Sequence, residues 1–476
     1  VPGGRGVAPS TVSGMTTARS YDVVVLGAGS GRSVLSEELA HLRTAIIDCG
    51  PYGGTCLNRG CIPTKMFLHV AEVAGSLPDL SRLGVDAHVD RVRWREIRDR
   101  IFDRIDPFAA SGPAGARSAG IDAYVGAARF VGPRRLVVAE PGGDVEITAA
   151  QVVLAQGASP LVPQVVRDSG VAFHASDTVM RIEDLPRRML VLGGGVIGTE
   201  MAQLFWGLGV EITMVTRGSH LVKGVGEDIG RRFTELMWQR WALHLNAEVT
   251  SVAERGDGIH VGLADGTALV TDLLLVAVGR RPNTDGIGLE EAGVEVAQAS
   301  GRVVVDEFGR TSADGVWALG DVSSVHQLKH LANDQARTVR HNVLHPDAPK
   351  PLRDKAIPSA VFSDPQLAIV GDTLPQALAT GADAVAFTQK LGDTAYGWAL
   401  EDTTSVCTVV AERGTGVVLG AQLMAPQASS LIQPLIDAVA RGLSARDVAT
   451  TQMWINPAAM ELIENALLGV AEVATP

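Results

Sequence analysis

The chain has 476 residues, a length that indicates roughly three domains. Its hydrophobic content of 46% and its 53 glycines are typical of an α/β enzyme with many tight turns between strands and helices. The net charge of -12 argues against nucleic acid as a partner, because binding to phosphates requires a basic surface.

The segment 1–20 is rich in small and polar residues and contains no apolar core of signal-peptide length. We expect it to be a disordered tail, with Met15 as a candidate natural start. The uncharged stretch 414–436 is interrupted by glycines and prolines, which favours a strand, a turn and a helix over a membrane span. Four cysteines in so long a chain fit a reducing compartment, so we expect a cytoplasmic protein without a membrane partner.

A first dinucleotide motif follows Tyr21. The apolar run 23–26 predicts a buried parallel strand, and a turn with Gly27, Gly29 and Gly31 leads into a helix predicted over 31–42. The N-terminus of such a helix can hold a pyrophosphate. A second strand, 44–47, ends in Asp48, an acid at the distance where a ribose hydroxyl is bound.

One position departs from this motif. Arg32 occupies the place of the third glycine, which normally allows the helix and the strand to pack closely. We expect either that the helix is displaced or that the Arg32 side chain points outward.

Two cysteines, Cys56 and Cys61, stand five positions apart after a turn that contains Gly54 and Thr55. Pro63 favours the first turn of a helix, which would place Cys61 at the helix N-terminus, where the dipole favours a thiolate. We expect Cys56 on the preceding turn. A metal site would need further ligands and a structural disulfide would need an oxidising compartment, so a redox-active pair is the favoured interpretation.

A second dinucleotide motif contains Gly193, Gly195 and Gly198 in full agreement with the glycine pattern. The following strand, 211–215, ends without an acid, and Arg217 and Lys223 come next. Cations at this place accept a 2′-phosphate, which favours NADPH over NADH. The alternative is that both cations are simply solvated on the surface. Two dinucleotide folds with a cysteine pair between them predict a path from NADPH through FAD to a disulfide.

The chain resembles the class I pyridine nucleotide–disulfide oxidoreductases from about Tyr21 to Gly469. Besides the cysteine stretch and both glycine motifs, the segments 311–321 and 361–366 carry this resemblance. Within the family, three further stretches are similar to mycothione reductases, at 90–94, 393–402 and 427–436.

The resemblance implies roles for several residues. Cys61 would face the flavin and Cys56 would be the interchange thiol that attacks a substrate disulfide. Lys65 and Glu200 would form an ion pair beside the flavin; read from sequence alone, they are equally two solvated charges on helix surfaces. The remaining implied flavin contacts are Asp321 at the ribityl chain, Gly157 in the turn after Gln156, and Gly279, where the chain returns to the flavin domain.

The C-terminal region departs from the family. Relatives have a His-Pro pair followed by a Glu five positions after the His, whereas this chain has Asn456, Pro457 and Glu461. An amide has no proton that titrates near neutral pH. General acid–base catalysis contributes about 10²–10⁴-fold, so we expect reduction of the substrate disulfide to be slowed on that order. Two further positions have minor weight: His69, a candidate substitute base that is more simply a surface histidine, and Asn333, where many relatives have histidine nearby.

The predicted fold class is α/β, with two Rossmann-like domains and a C-terminal α+β dimerisation domain. We expect an FAD-binding domain from 21–156 and 279–350, with a β-rich arm at 124–147, an NADPH-binding domain at 157–278 and an interface domain at 351–476. If the base site is shared across that interface, the working unit is a homodimer.

Three functions remain open at the level of sequence. The first is NADPH-dependent reduction of mycothione, a small-molecule disulfide. The second is a flavoprotein of the same scaffold with another acceptor, such as a quinone or dihydrolipoamide. The third, suggested by Asn456, is a catalytically impaired regulatory flavoprotein.

Overall fold

The computed structural model describes residues 18–475. The predicted tail therefore lies almost entirely outside the described residues. The first region contains six strands and four helices: β1 (Arg19–Leu26), β2 (Thr44–Asp48), β3 (Asp122–Val125), β4 (Ala127–Gly132), β5 (Arg135–Glu140), β6 (Gly143–Leu154), α1 (Gly54–Arg59), α2 (Cys61–Ser76), α3 (Trp94–Ala110) and α4 (Gly112–Ser118).

These strands form one sheet in the order β3-β2-β1-β6-β5-β4. The strands β3, β2, β1 and the end of β6 run parallel. The strands β4–β6 form the predicted β-rich arm, and the structure shows that they are antiparallel. The core strand β1 is apolar without alternation because both of its faces are covered, and Val24 and Val25 are fully buried.

The predicted helix over 31–42 is wrong. The chain forms two short 3₁₀ turns instead, Ser30–Val34 and Glu37–Leu39, separated by Leu35 in extended conformation. Ser30, Ser33 and Ser36 have weak intrinsic helix preference, and Gly31 adds conformational entropy to the unfolded chain, so a continuous helix is disfavoured here.

The second region is a separate sheet with its own helices. Its elements are β7 (Ala158–Pro160), α5 (Gln164–Arg167), β8 (His174–Ala175), α6 (Ser176–Val179), β9 (Arg188–Leu192), α7 (Val196–Gly207), β10 (Glu211–Val215), α8 (Glu227–Met237), β11 (Ala242–His244), β12 (Val249–Arg255), β13 (Gly258–Leu263), β14 (Ala268–Thr271) and β15 (Leu273–Val276). The parallel order is β11-β10-β9-β15-β8, while β12–β14 form a three-stranded antiparallel sheet.

The chain then returns to the first region. Strand β16 (Arg280–Pro282) pairs with β7, β17 (Val316–Ala318) adds to β6 of the first sheet, and α9 (Lys329–Leu344) follows. The first sheet is thus completed by residues that lie more than 150 positions after β6, with the whole second sheet inserted between them.

The last region is built on a five-stranded antiparallel sheet in the order β18-β19-β22-β21-β20. Its elements are β18 (Ser359–Val361), β19 (Gln366–Gly371), α10 (Leu374–Ala379), β20 (Ala384–Lys390), α11 (Ala395–Leu400), β21 (Val406–Glu412), β22 (Val418–Ala425), α12 (Ala428–Leu431), α13 (Gln433–Arg441), α14 (Ala445–Thr450) and α15 (Glu461–Ala474). The uncharged stretch 414–436 is the predicted strand, turn and helix. Among residues 18–475, no helix has the length and apolarity needed to cross a membrane.

Candidate active site

A cleft of about 1830 Å³ lies between the first two regions and reaches the last one. It is lined by the first glycine turn, by α1 and α2, by the start of α7, by the start of α9 and by part of the last region. The cleft therefore brings together side chains that are hundreds of positions apart in sequence, among them both cysteines of the predicted pair.

The first glycine turn allows a very close backbone approach. Gly27 has a φ of 106°, and a Cβ there would lie 2.3 Å from the carbonyl oxygen of Ala155. Gly31 packs against Ala155 and Val25, where a Cβ would come within 2.7 and 2.8 Å of side-chain carbons. Gly31 thus occupies the close-packing place that the motif gives to its third glycine, and Arg32 is exposed, as one of the two alternatives predicted.

Asp48 ends β2 at the edge of the same cleft. Its carboxylate accepts hydrogen bonds from the backbone N–H groups of Ala28, at 2.6 Å, and Gly50, at 2.8 Å. Burial raises the pKa of Asp48, and these two hydrogen bonds oppose that shift. Asp48 therefore lines the cleft beside the first glycine turn, and backbone N–H groups hold its carboxylate in place.

The two cysteines lie on consecutive helices. Helix α2 begins at Cys61 as predicted, whereas Cys56 lies within α1 rather than on an irregular turn. Gly53 (φ 103°) and Gly54 (φ 65°) provide the tight entry into α1, and a Cβ on Gly54 would lie 2.7 Å from the Cα of Gly29. The sulfurs are not joined by a disulfide bond in the structure.

Each thiol changes the ionisation of the other. Hydrogen bonding to Cys56, assisted by the charge of Lys65, lowers the pKa of Cys61 to about 7 against the opposing effect of burial. Hydrogen bonding to Cys61 and burial raise the pKa of Cys56 well above its usual range. The pair thus loses its first proton near neutral pH, and the resting negative charge lies on Cys61.

The predicted ion pair between Lys65 and Glu200 is present. The Lys65 ammonium donates to both carboxylate oxygens, at 2.8 and 2.7 Å, and Glu200 is only 6% exposed. The carboxylate also accepts from the backbone N–H of Phe362 at 3.0 Å, and the Lys65 nitrogen lies 4.1 Å from the centroid of the Phe362 ring. Lys65, Glu200 and Phe362 belong to the first, second and last regions, so their mutual contacts join all three regions at one point.

Helices α2 and α7 carry the two members of this ion pair, and small residues bring the helices together. A Cβ on Gly207 would lie 2.6 Å from the Ala71 carbonyl oxygen, and a Cβ on Gly75 would lie 3.3 Å from the Cα of Gly207. A side chain at Gly207 would force the two helices apart, and one at Gly75 would require a small shift, so the close packing that brings Lys65 to Glu200 depends mainly on Gly207.

Polar groups on the cleft wall fit a large polar cofactor. Both side-chain polar atoms of Gln156 are buried without a hydrogen-bond partner in the described chain, beside Gly157 at φ 68°. Asp321 also lines the cleft; burial raises its pKa, and the charges of Arg280 and Lys329 oppose that effect. Partnerless amide atoms and an acid in a wide cleft are what a ligand with hydroxyl and phosphate groups requires.

The second glycine turn is regular, in contrast to the first. Gly193 has a φ of 118°, and a Cβ there would lie 2.4 Å from the Ala277 carbonyl oxygen, while a Cβ on Gly198 would lie 2.0 Å from the Gly193 oxygen. Gly195 faces open space at the start of the 12-residue helix α7. Arg217 and Lys223 are exposed near the end of β10 and form no salt bridge within residues 18–475. Gly279, at φ 137°, lies at the return from the second sheet.

The C-terminal departure is a polar pair away from this cleft. The Asn456 amide nitrogen donates to Glu461 Oε1, so the asparagine and the acid five positions later are in direct contact. Glu461 is 8% exposed, and its second carboxylate oxygen has no partner among the described residues. Neither residue lines the cleft of this subunit. His69 does line it, exposed on α2, whereas the Asn333 side-chain oxygen is buried on α9 without a partner in residues 18–475.

Sequence reasoning missed several charged residues of the cleft. Asp177 lies 3.6 Å from Arg59 and 3.4 Å from Arg280, and these three residues connect α1, α6 and β16. Lys329 begins α9 and reaches Ser30 in the first glycine turn. A lysine at the first position of a helix that follows Asp321 is a weak signal, and no local pattern predicts its partner.

Comparisons with known proteins agree with this geometry. Residues 21–336 match the pyridine nucleotide-disulphide oxidoreductase family, and residues 357–467 match the dimerisation domain of that family. The chain is similar to a mycothione reductase of Mycobacterium tuberculosis, at 48% identity over 95% of this chain and 99% of the relative. It is also similar to a dihydrolipoyl dehydrogenase of Halobacterium salinarum, at 30% identity over 94% and 96% of the two chains.

Solved structures show the same architecture. The flavoprotein disulfide reductase RclA of Escherichia coli has a TM-score of 0.84 and 26% identity, with 95% of this chain and 100% of that chain covered. The structure of LpdA from Mycobacterium tuberculosis gives the same TM-score, identity and coverage. The predicted family and fold class are confirmed. The chain belongs to the pyridine nucleotide–disulphide oxidoreductase family, as an NAD(P)H-dependent flavoprotein enzyme that uses FAD and NADPH.

Proposed function

We propose that this enzyme reduces mycothione with electrons from NADPH. The observation that carries the proposal is the position of Cys61, a thiol with a lowered pKa, beside the Lys65–Glu200 pair in a cleft shared by both sheets. The similarity to a mycothione reductase at 48% identity supports this disulfide over other acceptors.

FAD is proposed to bind along the first glycine turn. Gly27, Gly29 and Gly31 allow its pyrophosphate to approach the backbone, with Gly54 and Thr55 on the opposite side. Asp48 would bind the ribose and Asp321 the ribityl chain, and Gly157 and Gly279 shape the turns where the chain leaves and re-enters the flavin domain. When bound, FAD supplies electron exchange between the nicotinamide and the cysteine pair.

NADPH is proposed to bind at the second glycine turn. Gly195 leaves room for the pyrophosphate at the N-terminus of α7, while Gly193 and Gly198 hold the turn against the sheet. Arg217 and Lys223 would contact the 2′-phosphate, since no acid follows β10 to repel it. The Lys65–Glu200 pair lies between this site and the thiols.

The cysteines perform the disulfide exchange. The Cys56 thiolate attacks one sulfur of the substrate, the substrate S–S bond breaks, and one thiolate leaves while a Cys56–substrate disulfide forms. Cys61 then attacks the Cys56 sulfur, which closes the Cys56–Cys61 disulfide and releases the second thiolate. One product thiolate takes up the proton that Cys61 releases before its attack, and the other takes up a proton from the solvent, so the two electrons of the reduced pair produce two thiols.

We also propose the domain bounds, the oligomeric state and the cellular location of the enzyme. The flavin domain comprises 21–156 and 279–350, the NADPH domain 157–278 and the interface domain 351–476. The match to the dimerisation domain supports a homodimer. In this homodimer, Asn456 and Glu461 are proposed to face the partner's cysteines. The low cysteine content and the thiol chemistry favour the cytoplasm.

The test is a substrate panel with purified holoenzyme. NADPH consumption is measured with mycothione, lipoamide, glutathione disulfide and menadione as acceptors. We expect the highest kcat/KM with mycothione. Turnover with menadione alone would contradict the proposal and favour a quinone reductase, and normal flavin reduction without turnover of any acceptor would favour a regulatory flavoprotein.

A further inference from the structure

Lys329 lies on the wall of the cleft that contains Cys56. It is the first residue of α9, and its ammonium donates to the Ser30 hydroxyl at 3.0 Å. Ser30 and Lys329 line the cleft together with both cysteines. The Lys329 ammonium is therefore held at the wall of the cleft, beside the first glycine turn.

The contact with Ser30 places this charge near helix α1. Gly29, the residue before Ser30, packs against Gly54 so closely that a Cβ on Gly54 would lie 2.7 Å from the Gly29 Cα. Gly54 is the first residue of α1, and Cys56 is two positions later. Lys329 forms no salt bridge with a carboxylate anywhere in residues 18–475, so its charge is not neutralised by a direct partner.

The two thiols thus have one lysine each. Lys65 lowers the pKa of Cys61, and Lys329 acts in the same direction on Cys56. Lys65 is paired directly with Glu200, whose charge opposes its effect on Cys61, whereas Lys329 hydrogen-bonds only the neutral hydroxyl of Ser30 and has the Asp321 carboxyl near it without a salt bridge. In a pair that shares one proton, the location of the negative charge depends on the balance between these two cations.

We propose that Lys329, oriented by Ser30, increases the fraction of the shared negative charge that moves from its resting place on Cys61 to the Cys56 sulfur, and so lets that sulfur act as the nucleophile. The step is a proton transfer between the two sulfurs: the S–H bond of Cys56 breaks and an S–H bond forms on Cys61. No further base is needed for this transfer. This would let a chain with Asn456 in place of a titrating residue begin disulfide exchange. The inference depends on the proposed roles of the two thiols and does not depend on which disulfide is the substrate.

The experiment measures which cysteine is alkylated. Holoenzyme is reduced with dithiothreitol, freed of excess reagent and treated briefly with iodoacetamide, and the modified peptides are quantified by mass spectrometry. Because a thiolate reacts and a thiol does not, the ratio of modified Cys56 to modified Cys61 reports the distribution of charge. In Lys329→Met we expect this ratio to fall about tenfold at pH 7, which corresponds to one unit of relative pKa.

Three further variants make the result specific. Lys329→Arg keeps the charge and should restore most of the ratio. Lys65→Met should shift the ratio in the opposite direction, toward Cys56. Lys390→Met removes an exposed lysine that does not line the cleft and should leave the ratio unchanged.

The ratio is measured from pH 6 to pH 9, since other groups of the cleft also carry charge. The charged and titratable side chains on its walls, apart from the two lysines and the thiols of the pair, are Asp48, Cys49, Arg59, His69, Arg100, Arg167, Asp177, Glu200, Arg280, Arg281, Asp285, Asp321 and His330. None of these changes in the Lys329 variants, so a difference between Lys329→Met and Lys329→Arg arises from the removed charge.

Two outcomes would overturn the proposal. One is an unchanged ratio in Lys329→Met with normal flavin absorbance. The other is loss of flavin from Lys329→Met and Lys329→Arg alike with an unchanged ratio in the reconstituted protein, which would identify Lys329 as a cofactor contact. Failure of the mycothione assay would leave this result intact, because iodoacetamide replaces the substrate.

Discussion

The polar residues near Cys61 differ in their acid–base chemistry from those proposed to face Cys56. On the Cys61 side, Lys65 and Glu200 form a tight pair that is fixed by Phe362 and by the packing of α2 on α7. In the C-terminal region proposed to face Cys56, the polar pair is Asn456 and Glu461, and the Asn456 amide has no proton that titrates near neutral pH. In the proposed mechanism, delivery of electrons and return of protons therefore depend on separate parts of this chain, and the position expected to return the proton departs from the family pattern.

The largest effect should come from the pair itself. Cys61→Ser and Cys56→Ser each remove a sulfur that the exchange requires, so turnover of a disulfide should fall by more than about 10³-fold. NADPH consumption with mycothione measures the loss. Cys49→Ser, which changes an exposed cysteine outside the pair, is the control and should retain turnover. Turnover above one tenth in either variant of the pair would show that electrons leave the flavin by another route.

The second-largest effect is expected at Asn456, the position where this chain departs from the family pattern. Asn456→His should raise disulfide turnover at least about tenfold, because a base at this position contributes 10²–10⁴-fold where it operates. Stopped-flow measurement of flavin reduction by NADPH should give the same rate as the parent enzyme, because the reductive half-reaction uses no such base.

Asn456→Gln is the matched control for this substitution. It keeps an amide without a titrating proton and should give no gain. An unchanged rate in Asn456→His would mean that another group already acts as the base for the substrate thiol. In that case Asn456 would not limit disulfide turnover.

The third effect concerns where electrons enter. Replacing Arg217 and Lys223 together by serine should raise the KM for NADPH about tenfold or more while leaving the KM for NADH nearly unchanged, because hydrogen bonds to charged groups contribute about 1.5–3 kcal/mol each. Initial rates with both nucleotides provide the measurement. Arg231→Ser, on the exposed surface of α8, is the control. An equal rise for NADH and NADPH would indicate that the two cations are only solvated surface charges.

The local motifs predicted much of this structure. Strand β10 matches the predicted 211–215, helix α2 begins at Cys61 beside Pro63, and the antiparallel arm is present at β4–β6. These features depend on apolar runs, on glycine turns and on a proline, all of which act over a few residues. For the same reason the Lys65–Glu200 pair was accessible only through family resemblance, since its members are 135 positions apart.

Features that depend on distant contacts were not predictable. Lys329 meets Ser30 across 299 positions, and Asp177 joins Arg59 to Arg280 only because α6 lies against α1 and β16. The helix predicted after the first glycine turn failed for a different reason. Its serines and Gly31 have weak helix preference, and the tight contact of Gly31 with Ala155 fixes the turn locally, so the glycine pattern alone did not determine the conformation of residues 31–42.

The smallest effect compares two neighbouring positions in that first turn. Gly31→Ala would insert a methyl group within 2.7 Å of Ala155 and 2.8 Å of Val25, where overpacking costs about 1–3 kcal/mol of the free energy of unfolding. Arg32→Gly changes an exposed side chain and should alter that free energy by about 0.5 kcal/mol or less. Urea denaturation of the two variants gives both values, with retained flavin absorbance as a second measurement. The reverse order of the two costs would mean that Arg32, rather than Gly31, fixes the turn against the sheet, and the close-packing role assigned to Gly31 would be wrong.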